Sequence, residues 1–158
     1  LDMSELQTIA RDETIALDDL IEEVLADLEP LAQEKNITLI NECNAVTLCG
    51  SDILIYRLVY NLVENAIKYN RINGSVTVKA FAKDKHIYLT VADTGNGIPE
   101  DLKERVFEPF FRLDKSRSRE LGGVGLGLAL VHEIVRVHDG SIQVKDNPSG
   151  GTIFEVIF

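Results

Sequence analysis

A chain of 158 residues that is 45% hydrophobic has the size and composition of one globular domain with a core of its own. Its 26 acids against 16 bases leave a net charge of −10, which argues against the basic face that nucleic acid or an anionic lipid surface requires. No apolar run approaches the roughly 18 residues that span a bilayer, and no charged-then-apolar leader opens the chain, so we expect a soluble domain. Because it begins at Leu1 without an initiator Met, we expect a cytoplasmic part of a longer protein whose preceding portion carries membrane or sensor segments. Two cysteines, Cys43 and Cys49, are too few for a disulfide framework and lack zinc-site spacing. They fall on neighbouring predicted strands, where a bridge is conceivable, but we read them as buried free thiols in a reducing compartment.

In chain order, Leu1 to Arg11 places apolar residues at Leu1, Leu6 and Ile9 and reads as the tail of a helix. Thr14 to Leu17 reads as a short strand. Asp18 and Asp19 are then expected to cap a helix through about Lys35, their charge suiting the helix dipole. Leu20, Val24, Leu28 and Leu31 form its buried stripe, and Pro30 should kink it by removing a donor and crowding the preceding turn. Ile37 to Cys43 and Ala45 to Cys49 read as two strands.

Ser51 or Asp52 is expected to cap a second helix, running to about Asn70. Its apolar set, Ile55, Val59, Leu62, Val63, Ala66 and Ile67, follows helical spacing and buries one face. The opposite stripe is Arg57, Asn61, Asn65, Lys68 and Tyr69, brought to one side by three- and four-residue steps. Asparagines one turn apart are poor helix formers and ask for a reason. An amide oxygen is a neutral hard ligand for Mg²⁺, and a lysine one turn on can meet a phosphate; a tolerated polar surface is the plainer alternative.

Gly74 can end that helix in a left-handed cap, after which Val76, Val78 and Ala80 alternate as a strand. Lys83 to Lys85 turns it into a second strand, where Ile87, Leu89 and Val91 alternate with Tyr88, Thr90 and Ala92. That strand delivers Asp93 into Asp93-Thr94-Gly95-Asn96-Gly97-Ile98-Pro99. Its glycines allow a tight turn and a close approach to a flat ligand; an ordinary Gly-rich turn with Asp as a local cap is the alternative. A short helical turn then leads to the aromatics of Phe107 to Arg112, read chiefly as core plugs. Leu113 to Leu121, with Lys115, Arg117 and Arg119, is the cation-rich loop of an acidic chain and suits phosphates. Gly122-Gly123-Val124-Gly125-Leu126-Gly127 opens into an apolar helix, expected to be buried, from Leu128 to about His138, and freed amides at a helix start form an anion site. Neither a P-loop nor a Rossmann turn fits, since no Gly-Lys-Ser/Thr follows and a charged loop precedes. Ser141 to Lys145 and Thr152 to Phe158 close the chain as a hairpin around Asn147 to Gly151. His86, His132 and His138 have no Ser or Cys partner and read as core or surface residues.

Taken in order, the Asn61 to Tyr69 stripe, the Asp93 to Pro99 turn, the Phe107 to Arg112 aromatics and the Gly122 to Leu128 run make a constellation. From Thr14 to Phe158 it resembles the catalytic and ATP-binding domain of two-component sensor histidine kinases. These form a branch of the ATPase superfamily shared with gyrase, the heat-shock chaperone ATPases and the mismatch-repair ATPases. The resemblance implies an α+β fold, a two-layer α/β sandwich of Bergerat type in which helices cover one face of a mixed β-sheet. Residues 1–11 would be the tail of the dimerisation and histidine-phosphotransfer helix, and residues 12–158 the catalytic and ATP-binding domain. It also implies that Asp93 accepts a hydrogen bond from the adenine amino group, at a position where guanine presents a carbonyl. Gly95, Gly97 and Ile98 would shape the adenine wall, and Thr152 would support adenine recognition through a water. Asn65 would be the Mg²⁺ ligand, with Asn61, Lys68 and Tyr69 beside phosphates or sugar and Asn61 and Lys68 taking the catalytic positions. The amides of Gly123, Val124, Gly125, Leu126 and Gly127 would hold phosphates, and Arg112, with Arg117 and Arg119, would belong to a lid.

The gyrase and chaperone branch carries a water-activating Glu where this chain has Asn61. An amide cannot act as a general base, and Glu64 lies off that face, so phosphotransfer is expected rather than hydrolysis. Val124 stands where Thr is frequent, and Asn70 stands where Thr or Ser is frequent, a minor change. The resemblance further implies partners: the protein's own dimerisation domain bearing the phosphoaccepting histidine, a response-regulator receiver domain, and a homodimeric parent, with no nucleic acid. Two other readings stay open, a serine kinase of the anti-sigma-factor type and a degenerate module that binds nucleotide or protein without chemistry.

Overall fold

The computed structural model describes residues 3–111 and 127–158. A 3-10 helix over Met3–Thr8 leads into β1 (Glu13–Ala16) and α1 (Leu17–Glu34), followed by β2 (Thr38–Cys43), β3 (Thr47–Gly50) and α2 (Asp52–Lys68). The hairpin β4 (Ser75–Lys83) and β5 (His86–Asp93) comes next, then short 3-10 turns over Glu100–Leu102 and Arg105–Phe107. Helix α3 (Gly127–Val137) and the hairpin β6 (Ser141–Asp146) and β7 (Thr152–Ile157) complete the described chain.

The main sheet has the order β2-β4-β5-β7-β6. Strand β2 runs parallel to β4 and the other pairings are antiparallel, so the sheet is mixed as expected. Strand period two sorts its faces. Val76, Val78, Ala80, Leu89, Val91, Phe154 and Val156 are buried, whereas Phe81 and Tyr88 stack on the open face at 5.1 Å. The helices cover the buried face. Along α2, Leu54, Leu58, Leu62 and Ala66 form one i, i+4 row and Ile55, Val59, Val63 and Ile67 the next, all buried. A stripe two rows wide lets α2 pack on the sheet and on both neighbouring helices, which leaves its remaining face for chemistry.

Local chemistry sets several boundaries. Ser51 caps α2, its hydroxyl accepting from the Leu54 amide at 3.3 Å. Asp18 and Asp19 do not cap α1. The cap position is Ala16, without a side-chain bond, because the Leu17 amide donates instead to the Val46 carbonyl at 3.0 Å; the two acids lie in the first turn, where the dipole still favours them. The α-helix continues past Pro30 to Glu34. Gly74 is not the expected left-handed residue; Asn73 is, at φ 67°, held by its amide donating to the Lys35 carbonyl and its Oδ1 accepting from Asn36 Nδ2. The cysteines do not share a sheet, since β3 pairs with β1 in a separate two-stranded sheet, and both thiols are free. Cys49 is exposed, contrary to expectation, and burial pushes the Cys43 thiol up to about 11. Helix α3 is less enclosed than its composition suggests, with His132 and Arg136 exposed.

Candidate functional site

Asp93 is the last residue of β5, where pairing with Val76 on one side and the start of β7 on the other encloses it. It is 6% exposed. Its Oδ1 accepts from the Gly95 amide at 2.9 Å and the Thr152 amide at 3.1 Å, and Asn147 Nδ2 grips its carbonyl at 2.7 Å. Burial raises the carboxyl pKa above the ordinary aspartate range, opposed by the two amide donors. Among the described residues Oδ2 has no partner, and no buried side-chain polar atom goes unsatisfied. The second oxygen therefore reaches the surface of the site, an anionic acceptor aimed outward from a rigid mount.

The Gly-rich turn is built for close approach. A Cβ on Gly95 would stand 2.5 Å from the Tyr69 carbonyl, so only glycine lets this turn touch the end of α2. Gly97 sits at φ 77°, in the region that favours glycine. Ile98 packs half-buried against the core. Lys103 ties the segment after Pro99 to the β6–β7 hairpin by bridging Glu100 at 2.5 Å and Asp146 at 2.9 Å. Thr152 is buried beside Asp93, to which its backbone amide donates.

On α2, Asn61 and Asn65 are half-exposed on the polar face. Asn61 Nδ2 donates to the Arg57 carbonyl at 2.8 Å, and its Oδ1 lies 3.4 Å from where a Cβ on Gly127 would sit. The first residue of α3 is thereby brought against the asparagine face. The Asn65 side chain makes no hydrogen bond among the described residues, which leaves its amide oxygen open to a ligand. Lys68 pairs with Glu64 at 3.7 Å, one turn back, which explains where Glu64 points. Tyr69 ends the helix. Asn61, Asn65, Tyr69, Asp93, Gly95, Thr152 and Gly127 thus fall along one continuous rim joining α2, the β5 turn and the start of α3.

Arg112, Lys115, Arg117, Arg119 and Gly122 to Leu126 lie outside the described residues. Of the aromatics before them, Phe107 packs on His132 at 5.4 Å and edge-on to Phe154 at 6.1 Å, and Arg105 covers Phe111 at 4.9 Å. Phe110 departs from the core-plug reading, being 70% exposed at φ 65°. The histidines are structural or at the surface. His138 Nδ1 faces the Ile134 carbonyl at 2.8 Å while Nε2 accepts from the Ser51 amide at 3.1 Å, an arrangement that needs a neutral ring. Sequence reasoning missed Asn147, whose only signal was an Asn opening the Asn-Pro-Ser-Gly-Gly turn, and it missed Thr94, hidden between two residues already chosen.

The family model described as histidine kinase-, DNA gyrase B-, and HSP90-like ATPase matches residues 50–158. The chain belongs to that ATPase family. Within it, the chain is similar to the sensor protein CiaH of Streptococcus pneumoniae, 42% identical over 110 residues, 70% of this chain and 25% of the relative. It is also similar to the sensor histidine kinase RppB of Synechocystis, 36% identical over 155 residues, 96% of this chain and 34% of the relative. Among solved structures, the mycobacterial sensor histidine kinase MprB matches with a TM-score of 0.82 at 28% identity, over 93% of this chain and 96% of that one. Full-length ShkA in complex with AMPPNP matches at TM-score 0.81 and 26% identity, over 98% of this chain and 33% of that one. Histidine kinase ThkA in complex with the response regulator TrrA matches at 0.77 and 26% identity, over 92% and 41%. The chain is a catalytic and ATP-binding domain of the two-component sensor histidine kinase kind, and it spans about a quarter to a third of the sensor-kinase relatives above. Among its described residues no helix is long and apolar enough to cross a membrane.

Proposed function

We propose that this domain transfers the γ-phosphoryl group of Mg²⁺-ATP to a histidine on a separate helical dimerisation domain, from which it passes to an aspartate of a response regulator. The observation that carries the reading is the Asp93 carboxylate, clamped through Oδ1 by two backbone amides with Oδ2 left open, beside an asparagine face one carbonyl contact away. Such a mount accepts from an exocyclic amino group and meets guanine's carbonyl with repulsion, so it selects adenine. ShkA bound to AMPPNP supports nucleotide in this fold, and ThkA bound to its response regulator supports the partner class.

The residues present suit a hard divalent cation. Among the described residues no cluster of three or more His, Cys, Asp or Glu could hold a metal alone, so a cation here would draw on the free Asn65 amide oxygen, phosphate oxygens and water, the mixed shell that Mg²⁺ prefers. When bound, Mg²⁺ neutralises phosphate charge as it develops in transfer. Lys68 adds a cation one turn on, and its Glu64 partner keeps it on the polar face. Asn61 offers no general base, so water is not activated and the phosphoryl group waits for a histidine. The domain's task is positioning and charge neutralisation.

The test joins this chain to a histidine-bearing dimerisation domain and supplies γ-labelled ATP. Acid-labile, base-stable label on the histidine, chased onto a receiver aspartate, is expected. Acid-stable label would favour the serine-kinase reading, and ATP binding without any transfer would favour the non-catalytic module.

A further inference from the structure

Between the two halves of the site lies a hydrogen-bonded hub that the roles above leave unassigned. Asn70, just past the end of α2, is 1% exposed. Its Nδ2 donates to the Ser75 carbonyl at 2.9 Å, and its Oδ1 accepts from the Arg71 amide at 2.9 Å and from the Thr94 hydroxyl at 3.1 Å. The same Thr94 oxygen accepts from the Ser75 amide at 2.9 Å. Lys35, just past the end of α1, closes the hub from behind, donating to the Lys68 carbonyl at 2.6 Å and the Asn70 carbonyl at 3.2 Å. A positive charge on the last carbonyls of α2 also suits the helix dipole.

Thr94 separates Asp93 from Gly95, and Asn70 follows directly on Tyr69. One side-chain amide therefore ties the residue between the two adenine-side contacts to the end of the helix that carries Asn61, Asn65 and Lys68. Gly74 makes the hub possible, since a Cβ there would overlap Asn70 Oδ1 and stand 2.8 Å from the Thr94 hydroxyl. Asn70 divides its donor bond to Ser75 and its two acceptor bonds between Nδ2 and Oδ1, whereas a Thr or Ser would have to make all three from one oxygen atom.

We propose that Asn70 is a positioning residue that sets the spacing between the adenine side and the phosphate side of the site, so that one nucleotide engages both at once. The inference rests on the nucleotide reading above. When two subsites are held in register, the second is reached at high effective concentration, and a shift of about 1 Å removes much of that advantage. Loosening the hub should penalise a ligand that spans both subsites far more than one confined to the adenine side.

The test measures dissociation constants of ATP with Mg²⁺ and of adenosine by amide-resolved NMR titration of this chain, for wild type, Asn70→Ala, Thr94→Val and Asp93→Asn. Asn70→Ala is expected to weaken ATP by about tenfold or more and adenosine by less than about threefold, with displaced resonances at Thr94 and Gly95. Thr94→Val, which keeps the Asn70 bonds to Ser75 and Arg71, should move the ATP-to-adenosine ratio the same way by less, and serves where the alanine variant does not fold. Equal losses for both ligands, or none for either, would overturn the positioning role while Asp93→Asn still weakens both. If Asp93→Asn also leaves both unchanged, the nucleotide reading falls with it.

Discussion

Replacing Asp93 with Asn changes one oxygen of the site and little else. An amide oxygen in place of Oδ1 keeps the bonds from Gly95 at 2.9 Å and Thr152 at 3.1 Å. The open Oδ2 becomes an NH₂ group, so an anionic acceptor facing adenine turns into a donor facing another donor. A hydrogen bond to a charged group is worth about 1.5 to 3 kcal/mol. At about 1.4 kcal/mol per decade, ATP should bind roughly ten- to a hundredfold more weakly. Folding should not suffer, because burial already disfavours the ionised carboxyl and a neutral amide removes that cost. The pH dependence separates the two effects. Since the folded pKa lies above the ordinary value of 3.8, protonation favours the folded state, and the wild type gains stability relative to the variant as pH falls through the raised value. Over the same window wild-type ATP affinity should decline more steeply than the variant's, because the wild-type acceptor is being protonated as well as the nucleotide. Calorimetric titration beside a thermal melt reads both. An ATP dissociation constant within about twofold of wild type, in a variant that melts normally, would refute the adenine assignment.

Gly151→Ala should cost at least roughly 1 to 2 kcal/mol in urea unfolding, because φ is 98° and the new Cβ would stand 2.6 Å from Asp93 Oδ1; ATP affinity should fall with it, and a wild-type midpoint would contradict the close packing. Ser51→Ala removes the α2 cap and should lower stability by about 0.5 to 2 kcal/mol while leaving ATP affinity unchanged, since the cap lies at the far end of the helix from Asn65. Burial holds the His138 pKa below 6.5, and its Nε2 must stay unprotonated to accept from Ser51. The folded pKa is depressed, so its contribution is present above 6.5 and is lost as pH falls toward the folded value. Urea midpoints at about pH 7.5 and pH 5.5 should therefore differ more for wild type than for His138→Gln, and equal differences would show that another group carries the acid sensitivity.

The fold and the family were legible because their signals are local. Period two in β4 and β5, period 3.6 in α2 and the Gly spacing after Asp93 each sit within one stretch of chain. The paired i, i+4 rows of α2 announced both its buried face and, by exclusion, the Asn61 and Asn65 face. The misread details depend on residues far apart in sequence. Asp18 and Asp19 looked like caps until the Val46 carbonyl took the Leu17 amide. Cys43 and Cys49 looked like neighbours until β2 paired with β4 and β3 with β1. By its position alone Gly74 reads as a left-handed stop, whereas its missing side chain makes room for Asn70 and Thr94. Asn147 reaches Asp93 across 54 positions, which no local pattern encodes. Asn70 reads as a minor change because Lys35, Ser75 and Thr94, which bond it, come together only when α1, α2, β4 and β5 assemble.

We expect this surface to hold ATP through Asp93 and the asparagine face. Calorimetric titration of the chain with ATP, with and without Mg²⁺ and against GTP, tests it most directly. Binding should strengthen with Mg²⁺ and favour ATP over GTP. Folded protein that binds neither nucleotide at about millimolar concentration, or binds both alike, would contradict it.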